Sequence, residues 1–304
     1  GLGADRGAGS VRILDATWSA TAGPAGLELA VHRLAGAAVA AARGRTSVLV
    51  ISDRRIGTNR LPIPSPLAVG AIHTALTHAG LRGRTDIVAA VADVLDVHGL
   101  AMVLACGATA VHPWLAIELA TEFAGGRGAE DLTSQRAVDN LLSAFETGLR
   151  KTLARMGISS VASYVGGALF EALELAPDVL DRCFPAAVAW PGRLGFAALA
   201  ARQLRRRDAA LALPEPPAGR EPRLPDPGLA RFRADGEAHL YAPRIVAAIQ
   251  ALAGFDGADF EGARTIDPPV YRAALSRQPA VARDDLRLRS VSPIPRDDVE
   301  PARA

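Results

Sequence analysis

The alternation of short apolar runs with longer segments of helical period is the feature that most constrains the fold of this chain. The predicted strands are residues 11–14, 47–51, 86–91 and 109–111, and the predicted helices between and after them are residues 26–42, 66–79, 96–106 and 113–123. Connections of this length allow right-handed crossovers, so the pattern predicts a parallel α/β architecture. Four or five such units are too few for a closed eight-stranded barrel, and they suit an open sheet or a fragment of a barrel.

Downstream, the pattern continues with less regularity. Residues 134–156 predict a long helix and 159–163 a fifth strand, followed by helices at 167–173 and 177–182. The continuous apolar run at 47–51 is typical of a strand that is buried on both faces. We therefore expect incomplete, barrel-like (TIM-related) parallel βα units, followed by an irregular Pro-rich C-terminal extension.

Proline marks the predicted domain boundaries, because each Pro lacks an N–H and restricts the residue before it. Residues 1–212 predict the α/β domain, 213–278 a connector with a helical extension, and 279–304 a terminal linker. The formal net charge of +2 gives no electrostatic reason to expect nucleic acid or an anionic membrane as a partner. The two cysteines fit a reducing, cytoplasmic environment, and no run of uncharged apolar residues predicts a membrane span.

Asp53 and Arg54 directly follow the second predicted strand, where parallel α/β folds concentrate function. They either hold a polar ligand or a partner domain, or they serve the backbone of their own loop and pair with each other. The second interpretation is the commoner use of Asp in turns.

Two histidines follow later strands. Asp96 fits a helix N-cap, which places His98 in the first turn, where the helix dipole favours the neutral imidazole. His112 follows the fourth predicted strand, and His73 lies in an earlier unit. None has the spacing of a metal site or a catalytic pair, so structural roles are favoured.

Ser163 and Tyr164 precede the Gly pair at 166–167, where the backbone can approach a neighbour closely. This is neither a P-loop nor a dinucleotide-binding fingerprint, and no nucleophile elbow occurs in the sequence. Cys106 and Cys183 lack an obvious activating base and are expected to be inert. The residues themselves therefore assign no catalytic group, cofactor site or metal ligand.

Several segments, in order along the chain, resemble the central domain of glutamate synthase large subunits. They are ILDATW at 13–18, ISDR at 51–54, CGATAV at 106–111, MGISS with SY at 156–164, DGE with HLY at 235–241, and PIP with DVEP at 293–301. On this resemblance, the printed chain begins inside a central domain that is truncated at its N-terminal side. Residues 279–304 would lead into an FMN-binding domain.

The resemblance implies an enzyme that splits glutamine at an N-terminal amidotransferase domain and passes ammonia to the FMN-binding domain, where 2-oxoglutarate becomes glutamate. FMN and a 3Fe–4S cluster belong to that downstream domain, with NAD(P)H or ferredoxin as electron donor, and a small NADPH-dependent subunit is a further expected partner. On this resemblance, we expect the central domain to join the other domains, to be non-catalytic by itself and to hold no cofactor.

The chain also departs from the family. Ala90 and Ala92 stand where the family usually has Glu and Gly, His112 replaces an Asn, and Val165 replaces an Arg. Lost polar groups remove hydrogen bonds to a partner domain, so altered domain contacts are expected.

Two alternatives remain open. One is a standalone interaction module derived from this domain. The other is a small barrel-like enzyme acting on a phosphorylated metabolite, which requires Asp53, His98 and His112 to converge within hydrogen-bond reach.

Overall fold

The computed structural model describes residues 10–126, 129–190 and 192–213, together with positions 232, 233, 243 and 246. The elements lie within one compact unit, Gly1–Leu213. In chain order they are β1 (Ser10–Asp15), β2 (Thr17–Ser19), α1 (Gly26–Arg43), β3 (Thr46–Ser52), β4 (Arg60–Pro62), α2 (Ser65–His78), β5 (Asp86–Ala90), α3 (Val97–Ala105), β6 (Ala110–His112), α4 (Trp114–Phe123), α5 (Ser134–Arg155), α6 (Val161–Tyr164), β7 (Glu171–Ala172), α7 (Pro177–Cys183), β8 (Val188–Ala189) and α8 (Phe196–Leu211).

The main sheet has four strands in the order β1-β3-β5-β6, and all of its neighbouring strands are parallel. Each strand is followed by a helix, from α1 to α4, so the predicted α/β architecture of sequential parallel units is confirmed. The sheet runs in one direction, as barrel strands do, but it does not close into a barrel within the described ranges.

One face of this sheet forms the core. Leu14, Leu49, Ile51 and Ile87 point toward the helices and are at most 7% exposed. The opposite face is open: Ile13 of β1 is 69% exposed, and the residues that alternate with the buried ones on β3 are half-buried. The expectation that residues 47–51 are buried on both faces is therefore wrong. Alternate residues of β3 point in opposite directions, and only one direction meets helices.

Helix α1 is the main cover of this core. Its residues Leu27, Val31, Leu34 and Ala38 are at most 2% exposed, which is the spacing of one helical face. By length and composition, the helical segment Ala20–Arg43 is apolar enough to cross a membrane, with a mean hydropathy of 1.2. A single helix of this kind is weak evidence for a membrane span, because a helix that packs into the core of an α/β unit passes the same test.

After the fourth unit, the structure differs from the sequence-based expectation. The long helix is confirmed as α5, and residues 177–182 are confirmed as helical within α7. The prediction of a fifth strand at 159–163 is wrong, because residues 161–164 form the short helix α6. The helix at 167–173 is also wrong, since this segment is irregular and ends in β7.

Two smaller features complete the compact unit. Strands β2 and β4 pair antiparallel just beyond the carboxyl ends of β1 and β3, and α8 is tied to them through Gln203. The Gln203 side chain accepts a hydrogen bond from Trp18 Nε1 at 3.1 Å and donates one to the Pro62 carbonyl at 3.0 Å. The predicted connector at 213–278 and linker at 279–304 fall almost entirely outside the described residues.

Candidate functional site

The carboxyl edge of the four-stranded sheet is the place where a parallel α/β fold carries functional groups. Four of its polar residues stand at the end of a strand, directly after one, or in the first turn of the helix that follows one. They are Asp15, Asp53, His98 and His112.

Asp53 lies beneath the surface of this edge, with only 1% of its area exposed. Its Oδ2 accepts a hydrogen bond from the Ala92 backbone N–H at 2.8 Å, and its Oδ1 accepts one from Trp114 Nε1 at 2.7 Å. Burial raises the pKa of Asp53 above its ordinary value, and these two hydrogen bonds oppose that rise. Asp53 thus joins the ends of β3, β5 and β6, which is a structural task.

Arg54 covers this buried carboxylate from outside. Its guanidinium lies 4.7 Å from the ring centroid of Trp114, and its Nη1 is 3.2 Å from Glu118 Oε1. The side chain is 52% exposed, so it can still contact a partner. The backbone group that Asp53 binds belongs to Ala92, in the loop after β5, and not to the loop of Asp53 and Arg54 themselves. The partners of the two side chains are Trp114 and Glu118 rather than each other.

A second carboxylate at this edge was missed by the sequence analysis as a site residue. Asp15 Oδ2 lies 2.6 Å from Arg60 Nη2 and 3.3 Å from Arg55 Nη1. Its Oδ1 accepts hydrogen bonds from the Thr17 hydroxyl and backbone N–H, at 2.6 Å and 3.0 Å. Burial raises the pKa of Asp15, but the hydrogen bond from Thr17 and the charge of Arg60 outweigh it, so the pKa lies below its ordinary value. The sequence feature that could have indicated Asp15 as a site residue is its position at the end of the apolar strand predicted at residues 11–14.

The two histidines of the edge are on the surface. Asp96 caps α3 by accepting a hydrogen bond from Gly99 N at 2.7 Å, which confirms the predicted N-cap and the first-turn position of His98. His112 ends β6 and is exposed. Both oxygens of Asp53 are already occupied, and neither His98 nor His112 is a hydrogen-bond partner of Asp53 among the described residues. The geometry therefore gives no support to a catalytic trio of these three residues.

Ser163 and Tyr164 belong to α6 and do not follow a strand, because the expected fifth strand is absent there. Ser163 is exposed, whereas Tyr164 is 2% exposed and packs with Leu104 and Leu153. Burial raises the pKa of Tyr164. Tyr164 therefore lies among residues of α3 and α5, while Ser163 remains available on the surface.

His73 lies at the opposite, amino-terminal edge of the sheet. Its Nδ1 accepts a hydrogen bond from Arg82 Nε at 3.1 Å, so the ring proton is on Nε2. Burial and the charge of Arg82 lower the pKa of His73. Arg82 also donates to the carbonyls of Thr85 and Gly107, each at 2.8 Å, which ties together the segments that lead into β5 and β6. His73 is thus separate from His98 and His112.

The cysteines are buried in the same region as His73. Cys106 and Cys183 border a cavity of about 120 Å³, and burial raises the pKa of each thiol to about 12. A thiolate is the form that attacks or binds metal, so both are inert at neutral pH. Within the described residues, no group of three or more His, Cys, Asp or Glu side chains is placed to hold a metal ion.

Comparisons with known proteins agree with the ordered segments in the sequence. Residues 4–176 match the family described as "Glutamate synthase central domain". The chain is 31% identical over 288 residues to the NADPH glutamate synthase large chain of Azospirillum brasilense, covering 94% of this chain and 18% of that protein. It is 34% identical over 289 residues to ferredoxin-dependent glutamate synthase 1 of Arabidopsis thaliana, covering 91% and 17%.

The NADH glutamate synthase of Schizosaccharomyces pombe is also similar, at 32% identity over 243 residues, which is 79% of this chain and 11% of that protein. The chain therefore spans less than a fifth of the length of each of these relatives. The family match covers more than half of the chain, and it includes the whole four-stranded sheet with its carboxyl edge. This chain belongs to the glutamate synthase central domain family.

Proposed function

We propose that this chain is the domain-connecting segment of a glutamate synthase large chain and is not catalytic by itself. The observation that carries this proposal is the carboxyl edge of the sheet. There, both oxygens of Asp53 are taken up by Ala92 and Trp114, while Arg54 and His112 face outward. An edge closed by its own hydrogen bonds, with exposed polar groups above it, suits contact with neighbouring domains better than substrate chemistry.

In the complete enzyme, glutamine and 2-oxoglutarate would give two molecules of glutamate. We propose that an amidotransferase domain and an FMN-binding domain flank this segment, with a small NADPH-dependent subunit as a further partner and a cytoplasmic location. FMN and a 3Fe–4S cluster would be held downstream, and NAD(P)H or ferredoxin would supply electrons. The cysteines of this chain are not suited to ligate such a cluster, because there are only two, both are buried, and each thiol has a pKa of about 12.

The proposal is tested in the large chain encoded by the same gene, with the variants Arg54→Ala and His112→Ala. We expect ammonia-dependent glutamate formation to stay near wild type, because the groups that act on 2-oxoglutarate lie elsewhere. Glutamine-dependent glutamate formation should fall relative to glutamine hydrolysis, because the contact between domains is weakened. Asp96→Ala, which removes an exposed cap on the same edge, is the matched control.

The purified 304-residue chain supplies a second measurement. We expect it to bind no flavin and to form no glutamate from glutamine and 2-oxoglutarate. Turnover by this chain alone would overturn the proposal. A gene that encodes neither flanking domain would do the same and would favour the standalone interaction module.

A further inference from the structure

A cleft at the amino-terminal edge of the sheet is lined by three arginine side chains, and we call it the arginine cleft. It has a volume of about 310 Å³ and lies where α1 leads into β3 and where α2 leads into β5. Its three arginines are exposed, and its other three lining residues are buried. The lining residues are Ala42, Arg43, Arg45, Thr46, Leu81 and Arg84.

The three guanidinium groups of this cleft have no ion pair and no side-chain hydrogen bond within the part of the chain that the structure describes. Arg82, in the same turn as Arg84, differs because it donates to two backbone carbonyls and to His73. The acid nearest to Arg84 along the chain is Asp86. Its carboxylate accepts a hydrogen bond from the Thr109 hydroxyl at 3.4 Å and interacts with the charge of Arg82. The cleft therefore concentrates positive charge that the neighbouring acid does not neutralise.

Arg45 has a backbone conformation that an arginine rarely adopts. Its φ is +65°, in the left-handed region that favours Gly, because a Cβ there crowds the neighbouring carbonyl. The turn is closed by the backbone, since the Arg45 N–H donates to the Ala42 carbonyl at 3.1 Å. The turn thus gains nothing from the arginine side chain. Strained residues of this kind cluster at binding sites, so the strain at Arg45 points to a role for its guanidinium.

The helix dipole explains only one of the three charges. Arg43 ends α1, where the negative end of the dipole favours a cation, but Arg45 and Arg84 lie outside that helix. A sphere of 310 Å³ is about 8 Å across, which equals the Debye length of about 8 Å at physiological salt. The three charges that line the cleft therefore repel one another and together attract an anion placed between them.

We propose that the arginine cleft binds a small phosphate-bearing metabolite. A guanidinium group offers a fork of N–H donors that suits oxyanions. A phosphate group presents three terminal oxygens in different directions, so it can accept from all three arginines, whereas a carboxylate has two oxygens in one plane. The volume of the cleft stands at the lower end of the range of small-molecule sites, which is about 300–1,000 Å³. This inference is independent of the proposed function, because the cleft lies at the opposite edge of the sheet from Arg54 and His112.

Isothermal titration calorimetry of the 304-residue chain with pyrophosphate, at pH 7 and about 0.1 M NaCl, tests the proposal. We expect saturable binding of one pyrophosphate per chain. Arg43→Gln and Arg84→Gln should each weaken it about tenfold, because each removes a charge-assisted hydrogen bond. Arg155→Gln is the matched control and should bind as the wild type does. Arg155 ends α5 as Arg43 ends α1, it is also exposed, and it does not line the cleft.

A third variant, Arg45→Gly, separates binding from folding. It removes the guanidinium group and supplies the residue that a left-handed backbone favours, so the midpoint of thermal unfolding should not fall. Pyrophosphate binding should nevertheless weaken about tenfold, as in the other cleft variants. Unchanged affinity in Arg45→Gly and Arg84→Gln would overturn the proposal.

Three further results would also overturn it. The first is a lack of saturable binding of millimolar pyrophosphate to the wild type. The second is a loss of affinity in Arg155→Gln as large as in the cleft variants, which would show diffuse attraction by the net charge. The third is citrate binding as tight as pyrophosphate binding, which would identify a carboxylate ligand instead. None of these measurements involves glutamate formation, so their failure leaves the proposed function unaffected.

Discussion

Removal of the Asp53 carboxylate tests whether this group is a structural joint, meaning that it holds the ends of β3, β5 and β6 together, or is instead available to bind a ligand. Asp53→Ala deletes both acceptors, so Ala92 N–H and Trp114 Nε1–H lose their partners at a position that is 1% exposed. Each orphaned donor costs about 1–3 kcal/mol. Because burial raises the pKa of Asp53, removal of the charge returns part of this cost, and we expect a loss of about 2–4 kcal/mol in the free energy of unfolding.

The isosteric change Asp53→Asn refines the test. The amide keeps one acceptor, but its NH2 group faces an N–H donor, so the loss should be about 1–2 kcal/mol at pH 7. The raised pKa means that the folded protein binds this proton more tightly than the unfolded chain does. Wild-type stability therefore gains from Asp53 as the pH falls through the raised pKa toward 3.8, and the deficit of Asp53→Asn widens in that window.

The measurement is urea denaturation followed by circular dichroism and tryptophan fluorescence, and the midpoint and slope are compared between variants. Asp96→Ala is the control, because this exposed carboxylate also accepts a backbone hydrogen bond and should cost about 1 kcal/mol as an N-cap. If Asp53→Ala loses no more than Asp96→Ala, the carboxylate is not a joint. It would then be free to act on a ligand, contrary to the reasoning above.

Three further outcomes are expected. Gly166→Ala should lower the free energy of unfolding by about 2–4 kcal/mol, and Gly157→Ala by only about 1 kcal/mol. Both glycines have φ near +70°, but only at Gly166 would an added Cβ meet a neighbour, His73 Cε1 at 2.5 Å. Equal losses of stability in thermal denaturation would contradict this packing. The stability difference between wild type and Asp15→Asn should be present above pH 3.8 and vanish as the pH falls through the lowered pKa, as an acid titration of unfolding will report. Both native thiols should stay unlabelled by a maleimide at pH 7 until denaturant unfolds the chain, and rapid labelling of the native protein would refute their burial.

The regular part of the fold was predictable because periodicity and packing agree there. The runs that became β3 and β5 are long enough to show a strand, and helices such as α1 and α5 are long enough to show their 3.6-residue period. In each, local pattern and tertiary burial select the same conformation.

The failures have a different physical origin. Residues 159–163 contain too few apolar positions to distinguish a strand from one helical turn. The helical conformation is selected because it buries Tyr164 beside α3 and α5. The apolar run at 47–51 shows that β3 has two apolar faces, but it does not show which elements cover them. That information is absent from a local window when the covering element is distant in sequence.

The candidate site was predictable in position but not in partners. Asp53 and Arg54 were recognised because they follow a strand, where a parallel fold exposes loop residues. Trp114, which occupies one oxygen of Asp53, is 61 residues away and carries no polar signature in the sequence. Asp15 is held by Thr17 nearby and by Arg60 at the start of β4, 45 residues away, so only the fold assembles that cluster.

The departures from the family acquire a physical meaning at Ala92, where the family usually carries Gly. The contact that holds Asp53 there comes from the backbone N–H of Ala92, which any residue except Pro supplies. A difference between Gly and Ala at this position therefore leaves the hydrogen bond between β3 and the segment after β5 in place, and the Ala92 side chain is itself buried, at 8% exposed. His112, where the family usually carries Asn, is by contrast an exposed residue at the end of β6. Of these two differences from the family, the one at Ala92 therefore falls on a buried position whose backbone hydrogen bond is retained, and the one at His112 falls on an exposed group.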